Sequence, residues 1–159
     1  MRMINLDQIE LIEGGAELLE SVKPFWEKLQ VYHTSVSKYF SQDIDEYAFA
    51  QRKKGLLKKV INGMLKVEIV KCLENGNIIG YCISTIDADN IGEIESIYVE
   101  EAYRGNRIGE ALMKNAIEWF DNNHVEVRKL YIVYGNDSVI GFYQKYGFYP
   151  LNIGFRQIM

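Results

Sequence analysis

Apolar residues recur along this chain with two different spacings, and the change from one to the other divides it in two. In the first part, Leu18, Leu19, Val22, Phe25, Trp26 and Leu29 fall on one side of a 3.6-residue spiral. Leu56, Leu57, Val60, Ile61 and Met64 do the same, so two amphipathic helices are predicted, the second ending near Asn62-Gly63. Pro24 lies inside the first run and marks either a kink or a helix start. A short strand at Ile9 to Ile12 comes before them, closed by Gly14-Gly15. Between the helices, Tyr39, Phe40, Tyr47 and Phe49 are scattered among Ser, Gln and Asp. The stretch His33 to Phe49 therefore reads as a loop and a helix start, with Asp43 or Asp45 as the cap.

From Leu65 onward the texture is that of strands. Val67, Ile69 and Val70 mark a strand over Leu65 to Leu73, and Glu74-Asn75-Gly76-Asn77 turns it back into Ile78 to Ile86, Asn-Gly being the strongest hairpin dipeptide. Asp87-Ala88-Asp89-Asn90 turns the chain again into Ile91 to Val99, which completes an antiparallel meander. Ile108, Ala111, Leu112, Ala116, Trp119 and Phe120 then line one face of a helix that Asp121-Asn122-Asn123 ends. Leu130 to Tyr134 is a predicted strand. Asn136 to Tyr146 is a short helix capped by Gly147, and Phe148 to Leu151 and Phe155 to Met159 are the predicted last strands. The predicted order is β-α-α-β-β-β-α-β-α-β-β. It implies an α/β fold whose mixed, mostly antiparallel sheet has about six to seven strands and about four flanking helices. The strand ending at Val99, its helix and the strand at Leu130 form one βαβ unit with parallel strands and a right-handed crossover.

Composition narrows the function classes. A chain of 159 residues suits a single domain over 1–159, and at 48% hydrophobic it builds a core without disulfide staples. A net charge of −4 argues against nucleic acid as the main partner. The basic run Arg52-Lys53-Lys54 with Lys58-Lys59 reads as a solvated helix face. Cys72 and Cys82 sit in apolar, strand-like runs with no Cys-x-x-Cys pair and no His cluster. No metal site is expected, and two reduced buried thiols fit the cytoplasm. No apolar run reaches the length of a membrane span and no hydrophobic leader is evident, so neither a membrane partner nor export is expected.

The candidate chemistry lies in the second part. Val99-Glu100-Glu101-Ala102-Tyr103-Arg104-Gly105-Asn106-Arg107-Ile108-Gly109 reads as a strand end, a loop and a glycine-containing turn that opens a helix. The first N–H groups of a helix lack intrahelical partners and face the positive end of its dipole, which suits a pyrophosphate. The same turn also serves as a tight connection with no ligand. It is neither a dinucleotide fingerprint nor a Walker loop, since Gly-x-Gly-x-x-Gly and Gly-Lys-[Ser/Thr] are both absent. Simple alternation puts Glu93, Glu95, Ile97 and Val99 on one face, with the two carboxylates about 7 Å apart. Such a pair raises the pKa of at least one member and supplies a base near neutral pH; the alternative is an exposed face with two solvated acids. Tyr143 sits on an amphipathic helix, where a tyrosine is ordinarily core. His33 and His124 read as structural or exposed, and Trp26 and Trp119 as core.

Taken together and in this order, the glycine turn and the stretch Asn136, Phe142-Tyr143, Gly147-Phe148 resemble the GNAT superfamily of N-acetyltransferases. The resemblance is strong from Ile78 to Phe148 and weaker across the rest. The family turn is [Gln/Arg]-x-x-Gly-x-[Gly/Ala]; here Arg104 fills its first slot, Gly109 its last, and Arg107 stands where a glycine is usual. The resemblance implies acetyl-CoA as the acyl donor, with its pyrophosphate on Arg104, Gly105, Asn106, Arg107, Ile108, Gly109 and Glu110. Its pantetheine arm would lie along Ile97, Tyr98 and Val99 in a gap between splayed strands, near Asn136. Arg107 either crowds the phosphate or adds a cationic contact. Glu93 matches a general base, Glu95 a substrate-contacting acid or the base in its place, and Tyr143 the group that protonates the departing thiolate. The implied reaction is acetyl transfer to a primary amine by direct attack in a ternary complex. The acceptor wall would be built from His33 to Phe49 and Leu151 to Phe155, and Glu93, Glu95, Asp43 and Asp45 would draw in a small cationic molecule or a peptide or protein amine. Larger acyl groups remain open. The alternative is a non-catalytic acetyl-CoA-binding sensor or regulatory module. A homodimer is compatible with the resemblance, and nothing in the chain specifies one.

Overall fold

Each strand of the sheet lies beside its neighbour in sequence. The computed structural model describes residues 1–159. It contains β1 (Ile9–Gly14), β2 (Met64–Cys72), β3 (Ile78–Ile86), β4 (Ile91–Val99) and β5 (Val127–Leu130), in the spatial order β1-β2-β3-β4-β5. The first three pairings are antiparallel; β4 and β5 are parallel, joined through helix α4 (Ile108–Asn122). The predicted meander and βαβ unit are both present. The remaining helices are α1 (Leu19–Val36), α2 (Ser41–Glu46), α3 (Phe49–Lys59) and α5 (Ile140–Gln144). Pro24 lies inside α1 and does not end it.

Helices cover both faces of the sheet, and a core forms on each. On one side Leu19, Val22 and Trp26 of α1 and Phe49 and Leu56 of α3 pack on Val67, Ile69, Tyr81, Ile83 and Tyr98. On the other, Ile108, Leu112, Met113, Ala116 and Phe120 of α4 pack on Val70, Ile79, Cys82, Ile86 and Ile94. These side chains are almost fully removed from water, and each Val, Leu, Ile, Phe or Met among them is worth about 1.5–3 kcal/mol of transfer free energy.

The α/β class agrees with the sequence reading, but several elements differ. The sheet has five strands, not six or seven, and the region read as a loop before Phe49 contains a helix of its own, α2. Asp43 and Asp45 lie within α2 and cap nothing; at the start of α3 the Gln51 side chain accepts the Ala48 N–H at 2.9 Å instead. Helix α3 stops at Lys59, and Met64 already belongs to β2. The last strand of the βαβ unit is Val127–Leu130 and not Leu130 to Tyr134. The two predicted final strands do not form. The edge that would receive them is β5, only four residues long, and Pro150 has no N–H to give a ladder. Leu151, Ile153 and Phe155 stay exposed, while Arg156 turns back to pair with Asp43 and covers the Phe40 ring at 3.9 Å.

Between β3 and β4 the register shifts. Ile83 faces Ser96 and Ser84 faces Ile94, which leaves Glu95 as an extra, bulged residue. The bulge overturns the simple alternation. Glu93 pairs with Thr85 on the α1/α3 side, whereas Ile97 pairs with Cys82 and belongs with Val99 to the α4 side. The two glutamates remain on one side of the sheet, and the two apolar residues are on the other.

Arg107 caps α4 with φ +64°, a left-handed conformation in which an L-residue is held at a cost of about 1–2 kcal/mol. Its side chain points to solvent and pairs with Glu110 at 2.9 Å. Arg107→Gly is expected to raise stability by about 0.5–1 kcal/mol in urea unfolding, after the extra entropy of glycine in the unfolded chain is deducted. Arg107→Ala, which keeps the β-carbon, should give no such gain; an equal gain from both would place the effect elsewhere.

Candidate active site

The parallel pairing of β5 with β4 runs from Ile91↔Val127 to Ile94↔Leu130 and then stops, while β4 continues to Val99. The chain after Leu130 leaves the sheet, and a gap opens beside the second half of β4. Backbone direction in that half follows from two bonds. Glu100 N–H donates to Ile79 O on β3 at 2.8 Å, and Val99 O accepts Arg104 Nε at 2.9 Å on the opposite edge. Alternation therefore turns the backbone groups of Ile97 and Val99 toward the gap.

A cavity of about 230 Å³ fills this gap. Ile94, Glu95, Ser96 and Ile97 form one wall and Leu130 to Val133 another. Trp26, Leu29, Gln30, His33, Tyr47 and Arg52 come from the helical side, and Asn136, Val139 and Tyr143 close the far end. Tyr143 is held there by α5, whose chain reverses at Gly147 (φ +83°), where Phe148 N–H reaches Tyr143 O at 3.2 Å. The Phe142 ring meets Tyr143 edge-on with centroids 5.3 Å apart. Burial pushes the Tyr143 hydroxyl up to about 12, so it stays a proton donor at neutral pH. Asn136 is buried, and its Oδ1 accepts from the Tyr32 hydroxyl at 3.1 Å.

Glu95 is the acidic side chain that reaches the cavity, and it is heavily engaged. Arg52 Nη2 bonds its Oε2 at 2.9 Å, Thr85 bonds its Oε1 at 2.6 Å, and Lys59 bonds Oε1 as well. Burial pushes its pKa up, but the bonds from Lys59 and Thr85 and the nearby Arg52 charge outweigh burial and hold the carboxyl below the usual range. Glu93 does not line the cavity. It lies behind, with Lys59 at 2.5 Å and Lys129 at 3.5 Å. The two carboxylates are thus brought together through one shared ammonium, and Lys59, although partly desolvated, is kept charged by both.

At the other end of β4, the N-terminus of α4 presents the first-turn N–H groups of Ile108, Gly109 and Glu110. A β-carbon built on Gly109 would meet only the Phe142 ring, Cζ at 3.5 Å and Cε2 at 3.7 Å. Gly105 takes φ +81° in the turn before it. Asn106 is buried and serves the fold: its amide donates to Arg2 O at 2.7 Å and Tyr103 O at 2.9 Å. Arg104 stacks over the Tyr98 ring at 5.6 Å, and the Tyr98 side chain packs into the α1/α3 core.

Sequence reasoning missed three polar residues here, Gln30, Arg52 and Lys59, and read His33, the first residue of the expected acceptor wall, as structural or exposed. His33 lines the cavity, and burial lowers its pKa, which keeps the ring neutral. Gln30, Arg52 and Lys59 also face the site or support it. A signal for the two basic residues exists in the spacing: Phe49, Arg52, Leu56 and Lys59 recur at three- and four-residue steps, so the buried side of α3 carries both cations. Of the expected aromatic wall, Tyr47 reaches the cavity, Phe49 packs on Trp26 at 5.4 Å, and Tyr39 stacks on Tyr134 at 6.2 Å. No group of three His, Cys, Asp or Glu residues is arranged to hold a metal ion, and no helix is long and apolar enough to cross a membrane.

Comparison with known proteins agrees with this geometry. The pattern of the Acetyltransferase (GNAT) family matches residues 27–148. An uncharacterised N-acetyltransferase of Methanocaldococcus jannaschii is 29% identical over 116 residues, 65% of this chain and 49% of that protein. The chain spans about half the length of the curated relatives it matches. Among solved structures, a GCN5-related N-acetyltransferase from Ralstonia eutropha superposes with a TM-score of 0.71 at 18% identity, covering 94% of this chain and 98% of that one. An aminoglycoside N-acetyltransferase in complex with CoA has a TM-score of 0.65 at 16% identity, with 94% of each chain covered. The family pattern extends over well more than half of the sequence, including the split strands and the turn that opens α4, and the chain belongs to the GNAT acetyltransferase family.

Proposed function

We propose that this chain, acting as a single domain over 1–159, transfers an acetyl group from acetyl-CoA to a primary amine by direct attack in a ternary complex. The observation that carries this reading is the gap beside β4, with free helix N–H groups at one end and the Tyr143 hydroxyl at the other. The residues fit the donor. The turn from Arg104 into the start of α4 at Glu110 suits a pyrophosphate, and the edge of β4 at Ile97 and Val99 suits the amides of a pantetheine arm. Asn136 borders the same arm.

Acetyl-CoA supplies the activated acyl group; this chain's residues align it and manage charge. The Val99 N–H faces the place where negative charge develops on the acetyl oxygen. Tyr143 faces the sulfur. Burial keeps its hydroxyl protonated, so Tyr143 offers the sulfur a hydrogen bond, and a proton, as charge grows there. Glu95 accepts a hydrogen bond from the amine or from a water that carries off its proton, with Glu93 behind it holding Lys59 in place. A carboxylate held this low is a weak base. The surplus of cations nearby helps instead, since like charge lowers the pKa of a bound ammonium. The two free, buried cysteines favour a cytoplasmic setting.

Calorimetric titration with acetyl-CoA, with CoA as the comparison, tests the donor site, and micromolar affinity is expected. Gly109→Glu has room, since its β-carbon would make only ordinary contact with the Phe142 ring, and it puts a carboxylate against the phosphates. It should weaken binding at least about tenfold, through loss of a helix-terminus interaction and added repulsion. Unchanged affinity would move the donor site away from α4.

A further inference from the structure

We infer that the amine acceptor carries its own carboxylate, which Arg52 receives. This deepens the acetyl-transfer reading above and rests on it. The sequence suggested an acidic pull on a cationic acceptor, but the acids are already answered. Around the cavity, Arg52, Lys59 and Lys129 face only Glu93 and Glu95. Three cations against two carboxylates leave one positive charge. Asp43, on α2, is taken by Arg156. His33 adds no charge, because burial keeps it neutral.

Arg52 is where that surplus is usable. It lines the cavity, and its side chain is 24% exposed. Both of its bonds, to Glu95 Oε2 and to Glu95 O, come from Nη2. Its Nε and Nη1 donors have no protein partner. Nη2 belongs to both fork edges of the guanidinium, so a second carboxylate is received by a single charge-assisted bond from the free Nη1. Gln30 and the neutral His33 ring stand in the same wall and offer further hydrogen bonds. The cavity, at about 230 Å³, must hold the acetyl end of the donor as well, which limits the enclosed part of the acceptor to amino-acid size. An amine and a carboxylate within one such unit is the chemistry of an amino acid.

Thiol release from acetyl-CoA tests this with three sets of probes: the common L-amino acids, their carboxamides, and the polycations spermidine and kanamycin. The amides have the less basic amines and hence more free base at pH 8, so intrinsic reactivity favours them. The best amino acid is nevertheless expected to exceed its own amide at least about tenfold in kcat/KM, the usual worth of a charge-assisted bond. Arg52→Gln should bring that ratio to within about twofold of unity, and Arg52→Lys should keep part of it. The wild-type ratio stands whether or not either variant folds. Amides matching their acids, or spermidine or kanamycin as the best acceptor, would overturn the inference while leaving acetyl transfer intact. Absence of thiol release with every amine, in protein that binds acetyl-CoA, would overturn both.

Discussion

Tyr143→Phe is expected to lower kcat about 10²-fold and to leave KM for acetyl-CoA within about threefold, the usual signature of a donor lost only at the transition state. The substitution removes one oxygen. The Tyr143 ring packs on the α4-side core and against Phe142, and phenylalanine keeps both contacts. The hydroxyl is governed by desolvation, with no hydrogen bond acting on it, so its removal orphans no buried partner. A stable variant with a slow chemical step is therefore the outcome to look for, by steady-state thiol release beside thermal unfolding. Equal turnover would remove Tyr143 from the chemistry. A parallel rise in KM would make it a binding residue. Because the hydroxyl titrates only near 12, wild-type activity should not fall on its account as pH rises from 7 to 9.

Lys66→Met is expected to destabilise the fold by about 3 kcal/mol at pH 8, and by much less at pH 5. Lys66 is buried between the sheet and α4, with its ammonium 2.8 Å from Glu13, 3.4 Å from Glu68 and 3.3 Å from Asn115 O. Glu68 is 2% exposed, and Asn115 Nδ2 donates to its two oxygens at 3.1 and 3.2 Å. Burial, reinforced by the neighbouring Glu13, pushes Glu68 up to about 6 from an ordinary 4.5. A carboxyl whose folded pKa is raised contributes stability below 4.5 and loses that contribution as pH climbs through about 6. Without Lys66 the charged form of Glu68 has only an amide for company, so its folded pKa rises further and the penalty grows with pH until Glu68 gives up its proton. Urea unfolding at both pH values reads this directly. The double variant Lys66→Met with Glu68→Gln should recover most of the loss at pH 8. An equal penalty at pH 5 and pH 8 would assign the effect to packing.

Much of the fold was legible because its signals are local. The boundaries of β3 and β4 follow from alternation and from two turns rich in Asn, Asp and Gly. Helices α1 and α4 follow from apolar stripes at helical spacing, and Gly147 closes α5 in the positive-φ conformation expected of it. The misses have a common origin. Leu130 to Tyr134 has the apolar texture of a strand, yet only Leu130 is in β5, because β4 and β5 part at that point and Leu130 to Val133 line a cavity. The tail from Phe148 carries strand texture as well, with no edge of matching length to receive it. Texture records what a segment buries well against; it does not say whether a partner is there.

The candidate site divides along the same line. That Glu95, Asn136, Tyr143 and the turn from Arg104 to Gly109 deserve notice was readable from residue types and order, and so was membership of the family. Three things were not. The bulge at Glu95 is a mismatch in register between two strands, and only their pairing reveals it. It moves Ile97 and Val99 to the face opposite the glutamates. The charge state of the site is a sum over β3, β4, β5 and α3, so two acids that look like an anionic trap alone become one half of a cluster with cations in excess. His33 and Arg52 lie far from Tyr143 in sequence and meet it only around the cavity. Periodicity, turns and motif order act over a few residues, and the amino-acid sequence alone is sufficient to specify them. Register, charge balance and cavity walls come from segments that are distant in the chain and adjacent in space, and these the tertiary structure alone decides.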